Sequence, residues 1–256
     1  MILSRRISLI TATALFLVSL IFVAFFPSAT QVFLLLSLSA LTLVLAFRVF
    51  GAKLLWIGIL APLVYLASTY FVFIKFPLIN LPFKLALCAV FSVFYYYLLL
   101  SVNTVLLCSL ENKSFPLLRA GKTVIYITTL FAAFLSYTVI YKFEYIFIFY
   151  FSSVFAVTFL LSVEYFWLQK VGVGEDAGKK NLDLFEPLII SIFVSEMAAL
   201  LSFFPTEAFF RALAASSTFY VLLGLSENIA SHKITKKMYL EYILILIIIF
   251  VILVVA

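Results

Sequence analysis

The chain has 256 residues, 66% hydrophobic and only 11% charged, with a formal charge of +6 and a mean hydropathy of +1.28. A soluble globular domain runs at roughly 45–50% apolar and about 25% charged, so this balance excludes a water-soluble protein: there is too little polar surface to cover it. Apolar stretches of about 20 residues recur along the chain, and nine of them at that length use about 180 positions, which leaves no room for a soluble domain.

In chain order, Arg5 and Arg6 precede an uncharged run over 7–26, Pro27-Ser28 breaks it, and a second run fills 29–47. The first run exceeds the 7 to 15 apolar residues of a signal peptide and a second span follows at once, so the pair reads as an uncleaved helical hairpin. Further spans follow at 54–74, 85–110, 123–141, 145–168, 188–204, 208–229 and 239–256. These runs are apolar on all faces, whereas a barrel would show segments of about ten alternating residues, so they are helices. The predicted fold is therefore all-α: a polytopic integral membrane bundle of about nine transmembrane helices, one transmembrane domain over residues 1–256. Pro62 is the proline well inside a span and predicts a kink in the third helix. Gly58 and Gly224 are the glycines inside predicted spans, and there is no GxxxG. Close packing is expected instead at small residues such as Ala132, Ala133, Ser136, Ala212 and Ser216. No broken helix or internal repeat is recognisable.

Basic residues fall unevenly on alternate sides of these spans. One side holds Arg5, Arg6, Arg48, Lys53, Lys113, Arg119, Lys122, Lys170, Lys179, Lys180, Lys233, Lys236 and Lys237; the other holds Lys75, Lys84, Lys142 and Arg211. Thirteen against four over short loops is a positive-inside signal that puts the N-terminus in the cytoplasm and Ala256 on the far side. A missed helix would scramble the bias, so the charges also support the count of nine. The expected location is the cytoplasmic (inner) membrane of a prokaryotic cell, with the basic clusters against anionic lipid headgroups and no nucleic-acid partner.

Cys88 and Cys108 lie 20 residues apart in one predicted helix, about 30 Å along its axis. They cannot bridge each other, and with a single histidine, His232, they match no Cys/His metal spacing. They read as small apolar packing residues. No metal, haem or other cofactor is expected.

An ionisable side chain at bilayer depth costs about 2.5 to 3.5 kcal/mol on insertion scales. Glu164, Glu227 and Glu241 fall within about a turn of a cytoplasmic helix end and read as solvated, Glu241 with Lys237 four residues before it. Glu196 stands near the middle of the seventh span, about 12 Å from either end. Arg211 lies roughly one turn inside the eighth, and a hairpin at Phe204-Pro205 sets the two helices side by side. A buried Glu196–Arg211 pair, or a hydrogen-bonded Glu196, is the structural expectation; a proton, cation or headgroup site is the functional one. Ser191, Ser195 and Ser202 fall within about 40° of each other and read as a packing stripe, with Glu196 about 100° away from Ser195. In the fourth span Tyr95, Tyr96 and Tyr97 sit at mid-membrane depth. Ser92, Tyr96 and Asn103 share a face there, as interhelical bonds or as a cavity wall.

Other motifs fail on spacing. The loop over 171–187 has Gly172, Gly174, Gly178, Lys179 and Lys180, but not the glycine spacing or the Ser/Thr of a phosphate loop, and reads as a flexible connector. Glu207-Ala-Phe-Phe-Arg211 has the Glu-x-x-x-Arg spacing of membrane proteases that include prenyl-protein endopeptidases. Thr206 replaces the paired glutamate of that pattern and His232 lies at a loop, so no activity is carried over. Gly224-Leu-Ser226 lacks the histidine partner of an intramembrane serine hydrolase. No catalytic residue is assigned.

The function expected from this pattern is a non-enzymatic accessory or scaffold subunit packing against a membrane-protein partner or membrane lipids. The alternative is a transporter or lipid carrier, with Glu196 as coupling or headgroup site, Arg211 as its counter-charge, and Tyr96 and Asn103 lining the path. A lipid-modifying enzyme comes third.

Overall fold

A backbone that leaves water must satisfy its own N–H and C=O groups, and within one uncharged segment only the helix does so. The computed structural model describes residues 2–25, 29–47, 57–76, 80–111, 116–143, 146–170, 184–230 and 236–255. Among these residues there is no strand, and nine helices follow one another. They are α1 Ile2–Phe25, α2 Ala29–Phe47, α3 Leu60–Lys75, α4 Leu81–Glu111, α5 Pro116–Lys142, α6 Phe147–Lys170, α7 Phe185–Leu201, α8 Ala208–Ala230 and α9 Lys236–Val255. Five of them carry stretches long and apolar enough to cross a membrane: Ile7–Phe25, Leu81–Cys108, Leu118–Lys142, Phe147–Lys170 and Ala208–Ile229. The Pro27-Ser28 break, the connector over 171–183 and the pairing partner Lys237 lie outside the described residues or side chains.

Two sequence expectations change. Pro62 does not kink the third helix. Residues 57–58 are helical, the chain turns at Ile59, and α3 starts at Leu60. Pro62 therefore sits in a first turn, where its missing N–H costs nothing. Helix α5 starts earlier than the hydropathy suggests and takes in Gly121, whose missing side chain lets the Val105 methyl and the Ser101 carbonyl approach to 3.5 and 3.8 Å of where a Cβ would stand.

The described chain divides into two units. The first comprises residues 1–132 and 164–182, the second residues 133–163 and 183–256. In the first, α1 packs against α2, α3 and α4 around buried aromatics. The Phe16 ring lies 4.6 Å from Tyr95, 5.8 Å from Tyr70 and 6.4 Å from Tyr65, and Tyr65 stacks on Tyr95 at 6.0 Å. Such pairs add about 0.5–1.5 kcal/mol each beyond the area they bury. Their hydroxyls find partners: Tyr65 donates to the Phe91 carbonyl at 2.9 Å, and Tyr70 shares a hydrogen bond with Ser19. Gly58 lets α4 approach, with Leu106 and Val102 at 3.3 and 3.4 Å from its would-be Cβ.

In the second unit, α7 packs against α8, and α8 against α9. Small residues are buried on α7 and α8, as expected of membrane-type interfaces: Ala198, Ala212 and Ala215 are fully buried. Tyr137 shares a 2.7 Å hydrogen bond with Thr158, and Tyr141 donates to the Ala198 carbonyl at 2.8 Å. At the other end of α8, Asn228 donates to the Tyr242 hydroxyl at 3.1 Å, and the Tyr242 ring lies where a Cβ on Gly224 would stand. Many Ser and Thr hydroxyls bond back to a carbonyl three or four residues earlier, among them Thr13, Thr69, Ser92, Thr128 and Ser191. That keeps a hydroxyl satisfied in an apolar setting without a second helix.

Candidate functional site

The turn at Ile59 leaves the first N–H groups of α3 without intrahelical acceptors, and no side chain of the N-cap residue itself closes them. Closure comes from α6. The Glu164 carboxyl accepts the backbone N–H of Ala61, with Leu60 also within its reach. A negative group at a helix N-terminus is favoured by the aligned peptide dipoles as well as by the hydrogen bonds. Glu164 is 1% exposed, so the solvated end residue expected from the sequence is in fact fully interior. It lies six residues before the end of α6 at Lys170, about 9 Å along the axis. Its second oxygen, Oε1, is buried and has no hydrogen-bond partner. One oxygen is thus structural and the other is chemically open.

Two lysines serve helix ends of the opposite sign. Lys84 donates to the carbonyl of Ala24, in the last turn of α1, at 3.1 Å, and Lys122 donates to the carbonyl of Gln169, in the last turn of α6. Cations at C-terminal carbonyls are stabilising for the same dipolar reason.

Of the four residues singled out in the sequence, Tyr96 and Asn103 fall in the first unit, and Glu196 and Arg211 in the second. Tyr96 is half-buried with its ring edge-on to Tyr97 at 5.9 Å, and Tyr97 is exposed. Asn103 is buried, and so is Ser92, whose hydroxyl is committed to Cys88 of its own helix. Ser92 makes no interhelical bond through that contact. Glu196 is exposed on α7. No ion pair joins it to Arg211, whose guanidinium lies 5.2 Å over the Tyr141 ring. The physical reason is angular. Ser191, Ser195 and Ala198 make the buried face of α7, and Glu196, about 100° round from Ser195, is carried outward. Arg211 is held instead by a cation–π contact, while its Nε and the Thr206 hydroxyl are both buried without a hydrogen-bond partner.

Sequence reasoning missed Glu164, although two signals point to it. No charge intervenes between Glu164 and Lys170, so the helix end belongs at the lysine and Glu164 lies nearly two turns inside. Gly58 and Pro62 bracket a helix start rather than a helix middle. Among the described residues no group of three His, Cys, Asp or Glu is placed to hold a metal.

The chain belongs to the DUF5656 family, proteins of unknown function, whose family model matches residues 66–256. That match takes in Glu164, Glu196, Arg211, Tyr96 and Asn103 but begins after Ala61. No curated protein and no solved structure matches the chain.

Proposed function

We propose that this DUF5656 member is a multi-span protein of the cytoplasmic membrane, N-terminus inside and Ala256 outside, that works as a non-catalytic accessory or scaffold subunit. One observation carries the reading: α9 is a 20-residue apolar helix, yet none of its described side chains is buried, and Leu240, Ile243, Leu244, Ile247, Ile248 and Val251 are all exposed. It meets the rest of its unit along α8, around Tyr242. A face this large has to be covered by lipid or by another protein. Nine up-and-down spans are supported by the contacts within each unit. Lys84 with Ala24, Lys122 with Gln169, Glu164 with Ala61, Tyr141 with Ala198 and Asn228 with Tyr242 each join residues that alternation assigns to one side. Reporter fusions at Ala256 test the topology: alkaline phosphatase should be active there and a cytoplasmic fluorescent reporter dark. Reconstitution tests the function, because the purified protein alone should move no ion or lipid across a liposome membrane, and robust transport would refute it.

A second reading, a carrier for an ion or lipid, is favoured by Glu164. Interrupted helices whose ends face a polar group are the usual architecture of transport sites, and Glu164 joins such an end with one oxygen free. In that reading Glu164 is the coupling group, and Glu196, Arg211, Tyr96 and Asn103 are secondary. Loss of transport in Glu164→Gln at unchanged expression would favour it.

A further inference from the structure

We propose that the exposed face of α7 centred on Glu196 is the docking surface for a transmembrane helix of another protein that carries a lysine or arginine at matching depth. The proposal rests on the accessory-subunit reading and names the chemistry of the partner.

Glu196 is the only ionisable residue in the 20-residue stretch from Pro187 to Thr206, and stands near its midpoint. The helical backbone continues past Leu201 through turns closed by Phe203 N–H to Leu200 and Phe204 N–H to Leu201, so apolar chain extends on both sides of the carboxyl. The exposed residues on this face are Phe185, Leu188, Phe193, Glu196, Leu200 and Phe203. At 100° per residue they span about 140°, with Glu196 near the centre. Leu200 and Phe203, between Glu196 and the outer end, are 60% and 72% exposed. Glu241, the other exposed carboxyl more than a turn inside a described helix, is different, because Lys236 and Lys237 precede it at the helix start.

Lipid tails do not solvate a carboxyl, and ionisable groups in spans turn to the bundle interior or to a partner. Elsewhere the chain follows that rule: Glu164 is on the start of α3, Lys84 and Lys122 are on helix carbonyls, and Arg211 is over Tyr141. Glu196 faces outward. Charge complementarity makes the occupant basic. A second copy of this chain packed symmetrically face to face on α7 is the wrong occupant, since the stretch from Pro187 to Thr206 carries no basic residue and would bring one Glu196 towards another, and like charges repel. A headgroup cation does not reach this depth.

The test uses the full chain in nanodiscs, with a photoreactive benzoylphenylalanine replacing Phe193, and a synthetic helix of about 20 leucines carrying one central lysine. A peptide with leucine at that position is the control. The lysine peptide should give at least 10-fold more adduct than the control, and Glu196→Gln should remove the difference. Because Glu196 is exposed, Glu196→Gln should keep the wild-type melting and elution profiles, and Glu196→Asp should retain part of the lysine preference. Equal adducts from both peptides, an undiminished lysine preference in Glu196→Gln, or adducts dominated by a second copy of the chain would each overturn the proposal. The same probe placed at Ile247 of α9 separates the two levels. In cell membranes, adducts with another protein from α9 and none from α7 would leave the accessory-subunit reading standing while this inference falls. Transport by the purified protein would remove the reading itself.

Discussion

Replacing Glu164 by alanine should destabilise the protein far more than replacing it by glutamine. Alanine removes the acceptor for the Ala61 and Leu60 N–H groups and leaves a void where a side chain of 1% exposure stood. A buried donor left unsatisfied costs about 1–3 kcal/mol, and loss of a helix cap in general costs about 0.5–2 kcal/mol. These overlap, and relief of a desolvated carboxyl offsets part, so a net loss of about 2–4 kcal/mol is expected. Glutamine keeps a carbonyl acceptor of the same reach and fills the same volume; its amide N–H groups stand where Oε1 lacks a partner, a cost that loss of the desolvated charge offsets, so the net should stay within about 1 kcal/mol. Hydrogen exchange at the start of α3 is the sensitive assay. A local loss of 2 kcal/mol speeds exchange about 30-fold, and it should be confined at first to residues 60–63, ahead of global unfolding in detergent. If Glu164→Ala exchanges there within threefold of wild type, or if Glu164→Gln is as damaging as alanine, the carboxyl is not what closes α3.

Tyr141→Phe keeps the ring under Arg211 but removes the bond to the Ala198 carbonyl, so thermal unfolding should show a loss of about 0.5–1.5 kcal/mol; an unchanged melting curve would mean the bond contributes nothing. Gly224→Ala would drive a Cβ into the Tyr242 ring, with Cζ at 2.9 Å. It should loosen α9 from α8, read as faster exchange in α9, and a double-mutant cycle with Tyr242→Leu should show strong non-additivity. Cys88 and Cys108 are both buried and unbridged, so a maleimide should label neither in the folded protein within minutes and both after denaturation. Rapid labelling of the native protein would contradict the packing around α4.

Each of the nine apolar runs in the sequence overlaps one described helix, because an apolar run of bilayer length has one way to satisfy its backbone, but the helix starts differ by up to seven residues, as at Pro116 of α5. What hydropathy could not give was orientation. An α-helix with apolar residues all round has no inward stripe to read, so whether Glu196 faced Arg211 or the outside was undetermined until α7 was seen to bury Ser191 and Ser195. Glu164 was misread for a related reason. Its depth depended on where α6 ends, and Tyr165 to Leu168 can be read as an interfacial belt or, as they are, as one more buried turn. The start of α3 was obscured because Pro62 has opposite meanings in the middle and in the first turn of a helix, and the hydropathy of 54–74 is continuous across the turn at Ile59.

The closure of α3 also orders the protein's assembly in time. The group that completes its first turn is supplied 103 residues further along the chain, and the lysine of α5 that finishes α6 likewise waits for Gln169. A ribosome adding about 5–20 residues per second therefore leaves the start of α3 uncapped for roughly 5 to 20 seconds after Ala61 is made. Throughout that interval the N-terminal helices are neighbours without a finished junction. A nascent chain arrested before α6 should accordingly expose the 60–63 backbone to exchange and proteolysis, and release of α6 should close it in a single step. The sixth helix, rather than the first, sets the moment at which the first unit becomes complete.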